Sequence, residues 1–297
     1  MKLDFKNEYG RRNPMPPSLD AGSLSGADQA AYARNGYLFP LDVLTPAEVA
    51  EARANFDRTE AMLGGRLEGR NNQKPNLLFP WIDQLIRHPK ILDAVESVIG
   101  PDFFCWGSQF FTKRAGDPAF VSWHQDGTYW GLSKPDVVTA WVALTPSNPA
   151  SGAMQVVPGT HRAQVPHTDT FAETNMLSRG QEIAVQVDAD QAVNIVLAPG
   201  QMSLHHVLIF HGSPPNRADH PRIGFAIRYV PTHVSGAKDS ATLVRGTDRF
   251  GHFAPERIPA ADMHPDAVAH HAEVLDRQLQ VLYRGTEGKG KLAPVSM

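Results

Sequence analysis

From Phe103 onward the chain reads as short apolar runs rich in β-branched and aromatic residues, at 103–112, 120–125, 137–145, 153–157, 183–187, 193–198, 202–210 and 222–230. Turn formers such as Pro158-Gly159 and Pro199-Gly200 separate several of them, which marks the runs as strands. Before them come helical patterns: a short one at about 27–35, and a stronger one that Thr45 caps, Pro46 opens and Glu48 supports, running to about Leu63 ahead of Gly64-Gly65. Another runs from Pro89 to Ile99 and closes at Gly100. A mainly β chain with a helical N-terminal third predicts a double-sheet jelly roll, a double-stranded β-helix of cupin-like barrel form, braced by helices on one face. The expected organisation is an N-terminal arm over 1–25, then one domain over 26–297. Its jelly-roll core spans about 103–232 and a C-terminal helix about 264–284.

The run at 120–125 leads into His124-Gln125-Asp126. Side chains alternate along a strand, so His124 and Asp126 point one way and Gln125 the other. The run at 202–210 ends at His211, and Gly212-Ser213-Pro214-Pro215-Asn216 then predicts a turn that leaves the imidazole at the strand's mouth. Two imidazoles and one carboxylate form the ligand set that holds non-heme Fe(II) on one face with other positions open. Arg222, eleven residues beyond His211, opens the next strand. A guanidinium inside a barrel needs a carboxylate partner, and its planar fork suits a dicarboxylate held end-on. Chelation of 2-oxoglutarate requires this combination, with the keto acid end on the metal and the distal carboxylate on the arginine.

Competing histidines are weaker. His167-Thr168-Asp169 repeats the spacing in a polar, loop-like context, and His206 has Arg217 eleven residues on, but in a loop. His205 shares strand parity with His211 and either lines the pocket or sits in the core. Arg228 lies six residues after Arg222 and therefore on the same strand face, as a candidate partner for an anionic substrate group. Tyr129 and Trp130, just past the metal motif, are candidates to wall the substrate pocket. His161 and Arg162 order a loop in this reading.

Apolar residues make up 42% of the 297 and charged ones 20%, the balance of an ordinary globular protein. A formal charge of −3 gives no general attraction to nucleic acid or anionic lipid. There is no apolar stretch of membrane-spanning length and no signal-like N-terminus, so a cytoplasmic location is expected. Cys105 is the only cysteine, so a metal must be held by His, Asp or Glu. The expected partner is a small-molecule substrate, with neither nucleic acid nor membrane, and the oligomeric state stays open between monomer and homodimer.

These residues carry a resemblance. His124-Gln125-Asp126, Thr139-Ala140-Trp141-Val142-Ala143-Leu144, Ser151-Gly152-Ala153-Met154 leading to Pro158-Gly159-Thr160-His161, and His211-Gly212-Ser213 through Asn216 to Arg222 together resemble the phytanoyl-CoA dioxygenase (PhyH) family. The family comprises Fe(II)/2-oxoglutarate oxygenases, and the likeness, over about residues 30–235, is to its small-molecule bacterial branch. The resemblance implies that His124, Asp126 and His211 bind Fe(II) and that Arg222 anchors 2-oxoglutarate, with Gln109, Trp141 and Ser213 as further contacts. It implies O2 as the other cosubstrate, succinate and CO2 as products, and no side chain acting as general base. Halogenases of the family replace the ligand carboxylate with a small residue; Asp126 keeps it, which favours hydroxylation of an aliphatic C–H. The expected substrate is a small polar or anionic metabolite of amino acid, phosphonate or carboxylate type. No basic groove for CoA phosphates stands out, although Arg66, Arg70 and Lys74 fall in a segment expected to be mobile. Two alternatives stay open: a metal-dependent hydrolase or isomerase of cupin-like fold, and a metabolite-binding barrel without chemistry.

Overall fold

The computed structural model describes residues 19–20, 22–237 and 239–286, so the expected arm over 1–25 lies mostly outside the described residues. Helix α1 (Gly26–Asn35) starts where the Ser25 side chain accepts from the Asp28 backbone N–H, and it stops at Gly36 in the left-handed region. Helix α2 (Pro46–Met62) carries the full capping box of Thr45 and Glu48. Helices α3 (Pro80–Ile86) and α4 (Pro89–Ile99) follow, and α5 (Pro265–Leu282) lies near the C-terminus.

The strands are β1 (Leu19–Asp20), β2 (Tyr37–Asp42), β3 (Phe103–Lys113), β4 (Val121–His124), β5 (Val138–Ala143), β6 (Gln155–Val157) and β7 (His167–Asp169), then β8 (Gln181–Ile183), β9 (Val193–Asn194), β10 (Gln201–His206), β11 (Phe210–Ser213), β12 (Arg222–Pro231), β13 (Ser240–Arg245) and β14 (Ala254–Pro255). They form an eight-stranded sheet in the order β1-β2-β10-β5-β12-β3-β13-β14, a four-stranded sheet in the order β4-β11-β6-β9, and the pair β7-β8. The protein is thus mostly β-sheet with a few helices.

Alternation along β12 decides which face does what. Ile223, Phe225, Ile227 and Tyr229 belong to the core that the large sheet shares with the helices, where they meet Phe56 and Ile91. Arg222, Gly224, Ala226 and Arg228 face the other way. There Ala226 and Trp141 of the large sheet pack against Met154, Val156 and Ile209 of the smaller sheet and its approaches. A sheet buried on both faces has room for a site between its inner face and the second sheet.

The structure departs from the sequence-based expectation at several points. The run at 202–210 is not one strand. It breaks at 207–209 and passes from the large sheet to the small one, so His211 is the second residue of β11 and not the end of β10. The strand also runs on through Ser213, past the turn expected there. Side-chain and backbone groups of the metal motif hold the corner: Asp126 N–H donates to Val207 O (2.9 Å) and Gln125 Nε2 to Leu208 O (2.6 Å). A run that reads as strand from 202 to 210 carries no local signal for such a corner. Only Gln181–Ile183 is strand in the region of 183–187, because Ala184 N–H turns to Pro166 O. The run at 193–198 shortens to Val193–Asn194 plus an isolated Ser147–Leu197 bridge. Among the described residues no helix is long and apolar enough to cross a membrane.

The segment expected to be mobile is tied down. Arg70 pairs with Asp276 of α5 at 2.6 Å. Lys74 is buried, and its Nζ donates to Ser240 O (2.9 Å) and to Glu256 Oε1 (2.6 Å). Glu256 also accepts from the Ser240 and Thr242 hydroxyls. Removing one partner of such a buried pair costs about 3–5 kcal/mol, whereas replacing both with apolar residues is often neutral. Glu256→Leu is therefore expected to lower stability by about that amount, and Lys74→Met/Glu256→Leu to recover most of it; urea unfolding of the three proteins checks this.

Candidate metal centre

His124 closes β4 and lies directly opposite His211 of β11 in an antiparallel register. Each ring is fixed by its Nδ1–H. That of His124 donates to Ser122 O (2.9 Å) and His211 O (3.1 Å), and that of His211 to Ile209 O (3.0 Å). Carbonyl oxygens only accept, so both Nδ1 atoms carry the proton and both Nε2 lone pairs are free. After His124 the backbone stays extended through Gln125 (φ −113, ψ 138) before a short turn, Asp126–Tyr129. The alternation expected of a strand therefore survives across the motif. Asp126 Oδ1 lies 3.3 Å from His124 Nε2 and 4.0 Å from His211 Nε2. Gln125, turned opposite, donates its amide to Ala163 O and Leu208 O and accepts from Val165 N–H.

Among the described residues, His124, Asp126 and His211 form the one group of at least three metal-type side chains whose ligand atoms all lie within 4.8 Å of one another. All three are buried. Burial by itself would raise the Asp126 carboxyl, but the neighbouring His124, His211 and Arg228 outweigh it and hold the group well below the usual carboxylate range. Burial, then the neighbouring His124, pushes His211 well below the ordinary imidazole value. A carboxylate held below its usual range, beside two imidazoles whose Nδ1 atoms are committed to carbonyls, is a donor set suited to a divalent cation, so it fits the Fe(II) that the resemblance implies.

Across the cavity stand two buried basic side chains. Arg222 Nη1 donates to Ser213 Oγ (2.8 Å) and to Gly152 O. Lys113, its cross-strand partner, donates to the same Ser213 Oγ (2.6 Å), to Ser213 O (3.2 Å) and to Pro214 O. No carboxylate forms an ion pair with either among the described residues, and Arg222 Nε has no partner. Burial and the adjacent Arg222 push the Lys113 ammonium down to about 5, and burial brings Arg222 down to about 10. Lys113 escapes a sequence reading because a lysine at a strand end looks solvent-facing. The available signal was its parity with Gln109 and Phe111.

The inner face of the large sheet supplies the remaining candidates. Trp141 lies across Gly224, where a Cβ would collide with the indole, and the Arg222 guanidinium is 5.5 Å from its ring. Gln109 pairs with Ala226 and lines the larger of two cavities, while Trp141 and Ser213 line the smaller one around the ligands. Arg228 borders both; the irregularity in β12 falls after it, so it keeps the face of Arg222. Tyr129 and Trp130 line the larger cavity, with Tyr129 beneath the Arg179 guanidinium (3.7 Å) and Trp130 between Trp106 (4.9 Å) and Arg228 (5.2 Å).

The competing histidines fall elsewhere. His167 Nε2 accepts from Gln125 N–H, and Asp169 pairs with Arg179. His206 accepts from Leu208 N–H and stacks near His161, whose Nε2 donates to Ala33 O. The corner puts His205 and His211 on different sheets, so shared parity does not relate them, yet the His205 ring lies 5.0 Å from that of His211. Burial lowers His205 to about 4, and its Nδ1 has no partner.

A buried His-Asp-His cluster between two sheets, faced by two buried basic side chains without carboxylate partners, is the arrangement that the resemblance implies for an Fe(II)/2-oxoglutarate oxygenase. The model for phytanoyl-CoA dioxygenase matches residues 32–224, and the chain belongs to that family of Fe(II)- and 2-oxoglutarate-dependent oxygenases. It is similar to the apo structure of the non-heme monooxygenase ThoJ, with 35% identity and a TM-score of 0.77 over 88% of this chain and 99% of that one. CytC3 solved with Fe(II) and alpha-ketoglutarate is 26% identical, with a TM-score of 0.60 over 80% of this chain and 99% of that one. A probable alpha-ketoglutarate-dependent hypophosphite dioxygenase of Stutzerimonas stutzeri is 30% identical over 54% of this chain; the match spans 57% of that relative.

Asp126→Ala removes the only carboxylate of the triad, and the outcome expected of a metal ligand is loss of stoichiometric iron from a protein whose circular dichroism is unchanged. Normal iron content in this variant, measured by atomic emission after anaerobic desalting, would remove Asp126 from the ligand set.

Proposed function

We propose that the protein is an Fe(II)- and 2-oxoglutarate-dependent dioxygenase that hydroxylates an aliphatic C–H bond of an anionic metabolite, of amino acid, phosphonate or carboxylate type, with release of succinate and CO2. One observation carries the reading: three metal-type ligand atoms within 4.8 Å of one another share a cavity with Arg222, a buried guanidinium that has no carboxylate partner among the described residues. The two facing sheets serve as the halves of a jelly roll, with the helices of the N-terminal third bracing the large sheet and residues 26–297 working as one unit. The Fe(II) and alpha-ketoglutarate held by CytC3, and the alpha-ketoglutarate dependence of the Stutzerimonas stutzeri relative, support the choice of cofactors.

His124, Asp126 and His211 would hold the metal. Arg222 and Lys113 receive the distal carboxylate of 2-oxoglutarate, and Ser213 Oγ, which donates to Gly152 O (2.8 Å), orients both cations. Trp141 and Gln109 flank the cosubstrate. Bound iron, 2-oxoglutarate and O2 together supply the oxidising power to break an unactivated C–H bond. The walls aim the substrate and keep water from the reacting centre. Arg228, with Tyr129 and Trp130 beside it, receives the anionic group of the substrate.

A hydrolase built on the same triad would leave Lys113 and Arg222 without a purpose. The discriminating experiment is anaerobic addition of Fe(II) and 2-oxoglutarate, with a weak visible charge-transfer band as the expected result; its absence sinks the oxygenase reading. In turnover, Arg228→Ala is expected to raise the substrate KM at least tenfold and to leave 2-oxoglutarate affinity within about twofold, an order-of-magnitude expectation for one charge-assisted contact.

Lys113 adds a pH signature. Its pKa of about 5 in the free protein rises when a carboxylate arrives, so binding near neutral pH takes up a proton. By linkage, 2-oxoglutarate affinity falls as pH rises between the free and bound values, by up to about tenfold per unit. Titration calorimetry in buffers of different ionisation heat is expected to show uptake of nearly one proton in the wild type and none in Lys113→Met.

A further inference from the structure

Buried polar side-chain atoms without a partner are uncommon in folded proteins, and several of those in this chain border the two cavities. Thr112 Oγ1 and Gln181 Oε1 belong to residues of the larger cavity, Thr139 Oγ1, His205 Nδ1 and Arg222 Nε to residues of the smaller, metal-bearing one, and Arg228 Nε to a residue that lines both. The proposed function allots Arg222 to 2-oxoglutarate and Arg228 to the anionic group of the substrate. Thr139 and His205 are left without a role.

These two continue a row that Arg228 begins. Arg228 of β12 lies directly opposite Thr139 of β5, and Thr139 lies opposite His205 of β10. Neighbouring strands are about 5 Å apart, so the three side chains follow one another across the sheet at that interval. Thr139 is 1% and His205 2% exposed, and the His205 ring lies 5.0 Å from that of His211. Burying a hydroxyl or an imidazole nitrogen without a hydrogen bond works against stability. Ser203 Oγ supplies the contrast: it is also buried and unpartnered, two residues from His205, but Ser203 lines neither cavity.

The row is open at its arginine end. Gly107 is the cross-strand partner of Arg228 and lines the larger cavity, and a Cβ on it would meet nothing within 4 Å except Arg228 Cδ at 3.6 Å. That cavity is polar, and many of its groups are engaged with one another. Asp239 accepts from Trp106 Nε1, Arg114 pairs with Glu60, Lys74 pairs with Glu256, and Asp117 accepts from the Arg114 and Ala119 N–H groups.

The donor and acceptor types along the row select a ligand. Arg228 Nε–H only donates, Thr139 Oγ1 donates and accepts, and an imidazole nitrogen does one or the other. An anionic oxygen suits the first. A hydroxyl, which both donates and accepts, suits the other two. An ammonium group does not, because it cannot accept. The only carboxylate lining the smaller cavity is Asp126, which belongs to the candidate metal centre, and a buried charge without a counter-charge is costly.

Resting on the oxygenase reading, we propose that the substrate is a hydroxy acid, its carboxylate on Arg228 and its hydroxyl between Thr139 and His205, and that Thr139 and His205 are specificity-determining residues. A site built to hydrogen-bond a hydroxyl rejects the analogue lacking it, because the site's own polar groups are then left unpaired.

The test uses enzyme loaded anaerobically with Fe(II) and saturating 2-oxoglutarate. It is titrated in a calorimeter with pentanoate, with 3-, 4- and 5-hydroxypentanoate and with the matching aminopentanoates. At least one hydroxypentanoate is expected to bind wild type about tenfold or more tightly than both pentanoate and its amino counterpart. Thr139→Val and His205→Phe should each remove most of that preference, with iron content and 2-oxoglutarate affinity unchanged, whereas Ser203→Ala should keep it. No preference for any hydroxy acid, the behaviour of a row that only holds water, or a preference that survives in both variants, overturns the proposal. If His205→Phe shows no cooperative thermal transition, Thr139→Val decides. The charge-transfer band is recorded on the same samples: its absence in wild type counts against the oxygenase reading, whereas a normal band without a hydroxyl preference counts against the hydroxy acid alone.

Discussion

The hydrogen bonds that His124 and His211 donate from Nδ1 to backbone carbonyls are the constraint on which the centre depends. They settle the tautomer, aim both Nε2 atoms at one point and do so from main-chain acceptors that cannot swing away. One of the acceptors of His124 is the carbonyl of His211 itself, so each ligand's position is bound to the pairing of β4 with β11. That pairing exists only because the chain leaves the large sheet after His206 and turns through 207–209, a corner to which Gln125 and Asp126 contribute the bonds. The His124-Gln125-Asp126 motif is therefore also a folding device: Gln125, facing away from the two candidate ligands beside it, holds the segment that delivers His211.

The opposite wall is arranged on contrary terms. Burying Lys113 and Arg222 side by side, with only carbonyl and hydroxyl acceptors, depresses both pKa values and works against stability. Lys74, also buried, is met by Glu256. The same chain can thus neutralise a buried lysine and leaves another without a counter-charge beside the metal cavity. An anion that enters this wall gains from charge-assisted bonds to groups already desolvated and already oriented by Ser213, so little reorganisation opposes binding.

Much of this was legible in the sequence, and the exceptions have physical reasons. His124-x-Asp126 projects two ligands to one side because the backbone is extended at Gln125, a local property that spacing captures. Thr45-Pro46-Ala47-Glu48 announces α2 because a capping box is local as well. The corner at 207–209 was hidden, since Met202 to Phe210 is apolar with few breaks and its bend is imposed by partners some eighty residues away. Lys74 was misplaced in a mobile segment because its counter-ion, Glu256, lies far along the chain. The large cavity could not be read at all: β3, the segment around 173–178 and the end of α5 come together only in the folded protein.

The inner face of the large sheet orders these functions in space. Cross-strand rows run Lys113–Arg222, then Phe111–Gly224–Ala143, then Gln109–Ala226–Trp141–Ser203, then Gly107–Arg228–Thr139–His205. The first row is cationic, the second is apolar with a glycine that admits the Trp141 indole, and the last carries Arg228 Nε, Thr139 Oγ1 and His205 Nδ1, all buried and without partners. Unsatisfied polar atoms are rare in native interiors, where most pair with one another or with water; three share this row, level with the junction of two cavities, against Arg222 Nε in the first row and Ser203 Oγ in the third. The first and last rows each carry a buried arginine, and two rows stand between them on one sheet face. Under the proposed function, that separation gives cosubstrate and substrate each a basic side chain of its own.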